Sequence, residues 1–122
     1  MMFNCHCRDC QRTTGSAFTP VVYVPAKAFK ITKGSPCYYS TPSEMVGHNK
    51  RGFCPECGSR LFGGETEHGQ GITASSLDDP SLFKPNVNMW TSDAQPSNGN
   101  YEATKAPLRS RPPRRAARHR EA

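Results

Sequence analysis

Apolar residues occur along this chain in short pieces whose alternation or β-branching is typical of strands. The pieces are Val21 to Val24, Phe29 to Thr32, Cys37 to Ser40, Gly52 to Phe53, Arg60 to Phe62, Gly71 to Ala74 and Val87 to Trp90. Between them stand stretches rich in glycine and proline that favour turns, among them residues 33–36 and 41–43. Short strands with frequent turns predict a small all-β domain built on an antiparallel sheet.

Helices are predicted to be brief. One should run from about Arg8 to Thr14 and stop at Gly15, and a second turn over residues 80–83 should begin with Asp79 as its N-cap and Pro80 at its first position. Eleven prolines and ten glycines among 122 residues leave no room for a long helix. The composition therefore excludes a helical bundle.

The positive charge of the chain is concentrated at its carboxyl end. The formal net charge is +6, but residues 103–122 hold seven basic residues and one acidic residue, which leaves residues 1–102 neutral. We predict a folded domain over residues 1–101 and a disordered basic tail over residues 102–122. Any attraction to nucleic acid would be weak, would come from the tail and would fade as salt rises.

The chain shows no sign of a membrane span or an export signal. The most apolar stretch, residues 17–29, is interrupted by Pro20 and Pro25 and is shorter than the ~20 residues that a membrane helix needs. The amino terminus lacks the basic and apolar regions of a secretory signal, which predicts a cytoplasmic protein without a membrane partner. The six cysteines are then expected to stay reduced and to bind metal or take part in thiol chemistry.

The strongest chemical signal is the CxCxxC triplet formed by Cys5, Cys7 and Cys10. One tight loop with this spacing can bring three sulfur atoms to a zinc ion, whose bonds to sulfur are about 2.3 Å long. The three cysteines are therefore candidate ligands of Zn²⁺.

A second candidate motif is the zinc knuckle of Cys54 and Cys57, within the segment FCPECGS. Pro55 stiffens the turn, and Gly58 can take a positive φ just after the second ligand. The rival interpretation is a redox dithiol, which normally opens a helix, and the glycine after Cys57 argues against a helix there.

The five candidate ligands allow two arrangements. If the triplet alone holds a zinc ion, the fourth position can accept water or a thiolate, which is typical of a catalytic site. If the triplet shares its zinc with one or both knuckle cysteines, every position is filled and the metal only stabilises the sheet. The spacing leaves both arrangements open.

The remaining cysteine and the histidines are weaker candidates. Cys37 stands alone in a strand-like segment and is expected to be a small buried apolar residue. His6 alternates with the sulfur atoms of the triplet and should point away from them, whereas His48 and His68 lie in polar loops and His119 belongs to the tail.

Several segments together resemble the family of glutathione-dependent formaldehyde-activating enzyme and centromere protein V. The matching segments are CHCRDCQRTTGSAF (residues 5–18), FKITKG (29–34), FCPECGSRL (53–61) and LDDP (77–80), followed by Trp90 and AQP (94–96). The resemblance implies a β-tent fold of short antiparallel strands. It also implies a zinc-dependent carbon-sulfur lyase that acts on the adduct of glutathione and formaldehyde.

The resemblance further implies a division of the ligands. The cysteines at positions 5, 7 and 10 would carry the catalytic zinc, and Cys54 and Cys57 would share a structural zinc with a CxC pair that family members carry some tens of residues earlier. Met1 stands four residues ahead of Cys5. The chain is therefore expected to be a truncated member with an incomplete second site.

Charged residues near these motifs bear on the mechanism. Three thiolates on Zn²⁺ carry a net charge of −1, so an anionic thiol such as glutathione would need a nearby cation. The cations available are Arg8, Arg12, Lys50 and Arg51. Three acidic residues near the motifs fit helix capping better than acid-base catalysis: Asp9, Asp78 and Asp79.

Two alternatives to an enzyme stay open. The zinc could stabilise a β domain that only binds a partner, or the chain could be an inactive truncated member of the family. The neutral body argues against nucleic-acid binding, because it lacks the interleaved basic and aromatic residues that such surfaces use.

Overall fold

The computed structural model describes residues 1–43 and 47–98. Along this part of the chain the helix and strands are β1 (Met2–Cys5), α1 (Arg8–Thr14), β2 (Thr19–Pro25), β3 (Cys37–Ser43), β4 (Gly47–Phe53), β5 (Arg60–Gly63), β6 (Gly69–Thr73) and β7 (Val87–Met89). Short 3-10 turns lie at Ala26–Ala28, Ala74–Ser76, Pro80–Leu82, Thr91–Asp93 and Pro96–Asn98. The described chain is thus mostly β, as the apolar pattern predicts.

The strands form one seven-stranded sheet in the order β3-β4-β5-β6-β2-β1-β7. Neighbouring strands are antiparallel except β1 and β7, which run parallel with Phe3 opposite Val87 and Cys5 opposite Met89. This parallel pair joins the beginning of the chain to residues near 90. It places the end of β1 beside Trp90, where the main buried cluster lies.

The main buried cluster of the domain is built around sulfur. Its members are Cys5, Cys7, Cys10 and Trp90, with Phe3 and Met89 packed against them. Elsewhere the sheet buries few large apolar side chains, and Phe62 and Ala74 complete the buried apolar set among the described residues. The cysteine triplet therefore occupies the place that aliphatic residues fill in most small domains.

Both predicted helical segments are confirmed. α1 ends at Gly15, which has a φ of 66°, as a left-handed helix cap requires. The 3-10 turn at Pro80–Leu82 begins at Asp79, whose side chain accepts a hydrogen bond from the Ser81 backbone N–H at 3.0 Å.

Two local predictions are wrong. Residues 29–32 form no strand, because the chain makes a 3-10 turn at Ala26–Ala28 and the Phe29 ring then packs edge-on against Phe62 with 5.0 Å between ring centroids. The turn expected at residues 41–43 is the end of β3. Pro42 is tolerated there because β3 is an edge strand, where a residue without an N–H need not remove a hydrogen bond of the sheet.

Two further features differ from the sequence-based expectations. β1 is not predicted by the apolar pattern, since it has only four residues and its extended shape is supported by strands on both sides. Cys37 is exposed rather than buried, because it begins the edge strand β3.

Two parts of the predicted domain organisation fall beyond residue 98. The boundary near residue 101 and the basic tail over residues 102–122 lie outside the described residues. Within residues 1–43 and 47–98, no helix has the length and apolar character needed to cross a membrane.

Candidate metal centre

The three cysteines of the triplet converge at the junction of β1 and α1. Cys5 ends β1, Cys7 is the N-cap of α1 and Cys10 lies inside the helix. All three are buried, with exposed fractions of 6–8%, and their Sγ atoms all lie within 4.8 Å of one another. The spacing thus brings three soft donor atoms together.

Hydrogen bonds hold this turn in place. The Cys10 backbone N–H donates to the Cys7 Sγ at 3.3 Å, which caps the helix with a ligand atom. The side chain of Gln11 donates to the His6 carbonyl at 2.7 Å and to the Asp93 carbonyl at 2.8 Å. The hydroxyl of Thr19 donates to the Cys10 carbonyl at 3.2 Å. These hydrogen bonds fix the conformation of the loop that carries the three sulfur atoms.

The protonation states of the three thiols differ because the thiols share hydrogen bonds. Hydrogen bonds from Cys5 and Cys7 lower the pKa of Cys10, and its charge is also stabilised by Arg51. The hydrogen bond between Cys7 and Cys10 raises the pKa of Cys7 to about 11, and the one between Cys5 and Cys10 raises the pKa of Cys5. Of the three thiols, Cys10 therefore gives up its proton most readily.

The donor set suits a thiophilic divalent ion. Three buried thiols within 4.8 Å can hold a metal ion, and thiolate ligands favour ions such as zinc. His6 is fully buried but lies outside this set, with its Nε2 3.0 Å from the Asn88 Oδ1 and its ring 5.3 Å from the Phe18 ring centroid.

Cys54 and Cys57 lie apart from the triplet, on the turn between β4 and β5. The Cys54 N–H donates to the Ser59 carbonyl at 2.9 Å, the Gly58 N–H donates to the Cys54 carbonyl at 2.8 Å, and Gly58 has the expected positive φ of 73°. No helix follows Cys57. A hydrogen bond with the Ser59 hydroxyl at 3.1 Å lowers the pKa of the exposed Cys57 thiol.

A cavity of about 240 Å³ opens beside the triplet. Cys5 and Cys10 lie in its wall together with Trp90 and two arginines, Arg51 and Arg60. Arg51 is only 4% exposed, and its Nη1 lies 3.8 Å from the Cys10 Sγ, while its Nε donates to the Thr41 hydroxyl at 3.3 Å. Of the four cations considered from the sequence, Arg51 is the one that lines this cavity.

Arg60 is a residue of the cavity that the sequence did not single out. Its Nη1 donates to the Thr13 hydroxyl at 2.8 Å and its Nε to the Phe62 carbonyl at 3.4 Å. Burial, followed by repulsion from Arg51, lowers the pKa of Arg60 to about 10, so it is still a cation at neutral pH. One hint in the sequence indicated that Arg60 faces the interior, namely its position two residues before Phe62 in a predicted strand.

The other predicted candidates lie away from the cavity. Arg8 and Arg12 are exposed on α1, and Lys50 lies over the Tyr38 ring at 3.9 Å from its centroid. Among the acidic residues, Asp9 is buried in α1, Asp78 is exposed and Asp79 caps the 3-10 turn at Pro80–Leu82. Of the histidines, His48 and His68 are exposed and His119 lies outside the described residues.

Comparison with known proteins supports one assignment. The model of the family described as "Glutathione-dependent formaldehyde-activating enzyme" matches residues 1–93, which include the triplet, the knuckle and the seven strands of the described residues. No curated protein matches the chain. Since the match extends over most of the chain and contains the whole candidate centre, the chain belongs to the glutathione-dependent formaldehyde-activating enzyme family.

Proposed function

We propose that this chain is a zinc-dependent carbon-sulfur lyase that acts on a thiol-aldehyde adduct such as S-(hydroxymethyl)glutathione. The observation that carries the proposal is the position of the cysteine triplet in the wall of a cavity, with Cys5 and Cys10 facing that space. A metal ion with a purely structural role does not require a cavity beside its ligands. Family membership supports the same class of substrate.

The proposed reaction is balanced without an oxidant. The adduct RS–CH2–OH becomes RSH and formaldehyde: the carbon-sulfur bond breaks with its electron pair going to sulfur, and the hydroxyl proton is lost as sulfur gains one. A zinc ion bound by the triplet would supply Lewis-acid stabilisation of thiolate sulfur. The chemistry suits a compartment that keeps thiols reduced, such as the cytoplasm.

The residues of the chain contribute position and charge. Cys5, Cys7 and Cys10 would hold the metal from one side, since they come from one turn of the chain. Arg51 offsets the negative charge of the thiolates, from 3.8 Å at the Cys10 Sγ. Trp90 and Phe3 keep water away from the sulfur atoms.

We also propose that Cys54 and Cys57 bind a second, structural zinc. Their turn has the backbone hydrogen bonds and the positive-φ glycine of a zinc knuckle. Two thiolates supply half of the four ligands that a structural zinc normally takes.

The triplet is tested by Cys7→Ser. We expect this variant to lose the zinc that is bound at the triplet and to lose thiol-dependent release of formaldehyde by at least about 100-fold, since a serine hydroxyl is a poor zinc ligand at neutral pH. Metal content is measured by mass spectrometry under nondenaturing conditions, and formaldehyde by a discontinuous assay with glutathione. Cys37→Ser is the matched control, because Cys37 is an exposed thiol on an edge strand.

Two results would contradict the proposal. Reduced wild-type protein without bound metal would remove the metal centre altogether. A metal-loaded protein with no turnover of any hydroxymethyl thiol would leave a binding module in place of an enzyme.

A further inference from the structure

Two guanidinium groups line the cavity without a carboxylate partner among the described residues. Arg51 donates to a hydroxyl and to the Cys10 sulfur, and Arg60 donates to a hydroxyl and a backbone carbonyl. In the described part of the chain, neither arginine forms an ion pair with an aspartate or a glutamate. Apart from the Cys10 sulfur, every acceptor they contact is neutral.

The charges of the site do not cancel. Three thiolates and one divalent ion have a net charge of −1, and Arg51 and Arg60 add two positive charges. One positive charge therefore remains in a cavity whose surface is otherwise largely apolar. Because a buried charge without a counter-ion is costly, the site favours a ligand that carries one negative group and a neutral sulfur, as a hydroxymethyl adduct does.

The remaining cavity wall sets the size and polarity of that ligand. The surface of this wall is largely apolar. Its apolar and aromatic side chains include Phe3, Val21, Tyr23, Ile72 and Met89. The volume of about 240 Å³ is below the roughly 300–1,000 Å³ of pockets that enclose drug-sized molecules. The cavity itself therefore has room for a short carbon chain, and the rest of a peptide such as glutathione would lie outside it.

We propose that Arg60, assisted by Arg51, forms a carboxylate-binding subsite in this cavity, and that the site selects adducts of small thiols that carry a carboxylate on a short apolar chain. The proposal rests on the lyase function proposed above. Each guanidinium has an Nη2 group that donates to no described residue. The planar fork of an arginine is suited to a carboxylate, which can accept two parallel hydrogen bonds.

The test measures binding by calorimetry to the zinc-loaded full chain. The probes are (methylthio)alkanoic acids from (methylthio)propionate to (methylthio)hexanoate, whose sulfur is neutral like that of a hydroxymethyl adduct. Each acid is paired with the amide of the same chain length. Each pair has the same sulfur and carbon chain, so the ratio of the two affinities isolates the carboxylate. In the wild-type protein we expect the best acid to bind about 10- to 100-fold more tightly than its amide.

Substitutions test whether Arg60 is responsible for the ratio of acid to amide affinity. We expect Arg60→Gln to bring the ratio close to one, and Arg60→Lys to keep only part of it because the charge remains while the fork is lost. Arg12→Gln is the matched control: it removes one positive charge from an exposed position of α1 outside the cavity, and the ratio should stay at the wild-type value. Zinc content and circular dichroism establish that each variant is folded.

The proposal is overturned if no acid binds more tightly than its amide in the wild-type protein, a result that needs no variant to be folded. It is also overturned if Arg60→Gln and Arg12→Gln reduce the ratio equally, since net charge would then explain it. The lyase function is measured separately. If the protein does not turn over any adduct but still binds acids more tightly than amides, only the proposed lyase function is contradicted. If it turns over acid and amide adducts equally well, only the proposed carboxylate subsite is contradicted.

Discussion

At the scale of single residues, the centre depends on backbone conformation as much as on side-chain chemistry. Trp90 packs against the three cysteines with 8% of its surface exposed, and it has a φ of 58° and a ψ of 41°. This left-handed conformation is unfavourable for residues that have a Cβ and easy for glycine. The chain therefore accepts local strain in order to place the indole ring over the sulfur atoms.

The strain at position 90 predicts which of two substitutions of Trp90 is the less destabilising. Both Trp90→Ala and Trp90→Gly lose the packing of the indole ring and should lower the free energy of unfolding by about 3–5 kcal/mol. We expect the glycine variant to be the more stable of the two by about 1 kcal/mol, because only glycine adopts this φ without cost. Urea unfolding of both zinc-loaded variants measures the difference. A less stable glycine variant would mean that position 90 is not strained.

The residues of the site were only partly predictable from the sequence. Cys5, Cys7 and Cys10 stand within six positions of one another, so their convergence follows from local spacing. Arg60 could not be found in this way, because its place beside the triplet depends on how β5 pairs with β4 and β6. A lone arginine in a short strand gives no local sign of the cavity it will line.

At the scale of elements, the sheet relies on a close approach between two glycines. Gly71 of β6 pairs with Gly63 of β5, and a Cβ on Gly71 would lie 2.5 Å from the Gly63 carbonyl oxygen. The oxygen belongs to the backbone and cannot rotate away. The spacing of β5 and β6, which together form part of the cavity wall, therefore requires glycine at this position.

Substitution at this pair should separate steric from conformational effects. We expect Gly71→Ala to lower the free energy of unfolding by about 2–3 kcal/mol, because β5 and β6 must move apart. Gly15→Ala is the comparison: its Cβ meets nothing within 4 Å, so only the φ of 66° should matter, at about 1 kcal/mol. Thermal or urea unfolding gives both values. Equal losses would show that the sheet adjusts to the added methyl group.

The elements themselves were predictable where the local signal and the tertiary contacts agree. α1 has a glycine at its end, and the 3-10 turn at Pro80–Leu82 has its aspartate and proline in the expected order. The pattern fails at residues 29–32, where Phe29 packs on Phe62 instead of continuing a strand. It also fails at Pro42, because the position of β3 at the sheet edge is a property of the topology and not of the segment.

At the scale of the whole molecule, the metal and the fold should be coupled. The triplet belongs to the buried cluster with Trp90, so a metal ion bound there would stabilise the core directly. Without metal, the raised pKa of Cys7, about 11 against an ordinary value of 9.0, means that the folded chain holds a proton that the unfolded chain releases. The contribution of Cys7 to stability is complete below pH 9 and is lost as the pH rises through 11.

Metal removal should therefore reveal a pH dependence. We expect the free energy of unfolding of the reduced, metal-free protein to fall as the pH rises from 9 to 10, where the unfolded Cys7 thiol ionises and the folded one keeps its proton. The lowered pKa of Arg60, about 10, acts in the opposite direction only towards the upper end of this range. The metal-loaded protein should not show this component, since its ligand thiols are already deprotonated. Urea titrations of both forms across this range make the comparison. Parallel curves would show that the thiols are not coupled to folding.

The parallel pairing of β1 with β7 also bears on how the protein is made. The first ten residues provide all three sulfur atoms, but Met89 and Trp90, which cover them, are translated about eighty residues later. At 5–20 residues per second this delay is about 4–16 s. The three thiols of a nascent chain thus stay uncovered for several seconds, and β7 must be translated before Met89 and Trp90 can protect them from oxidants.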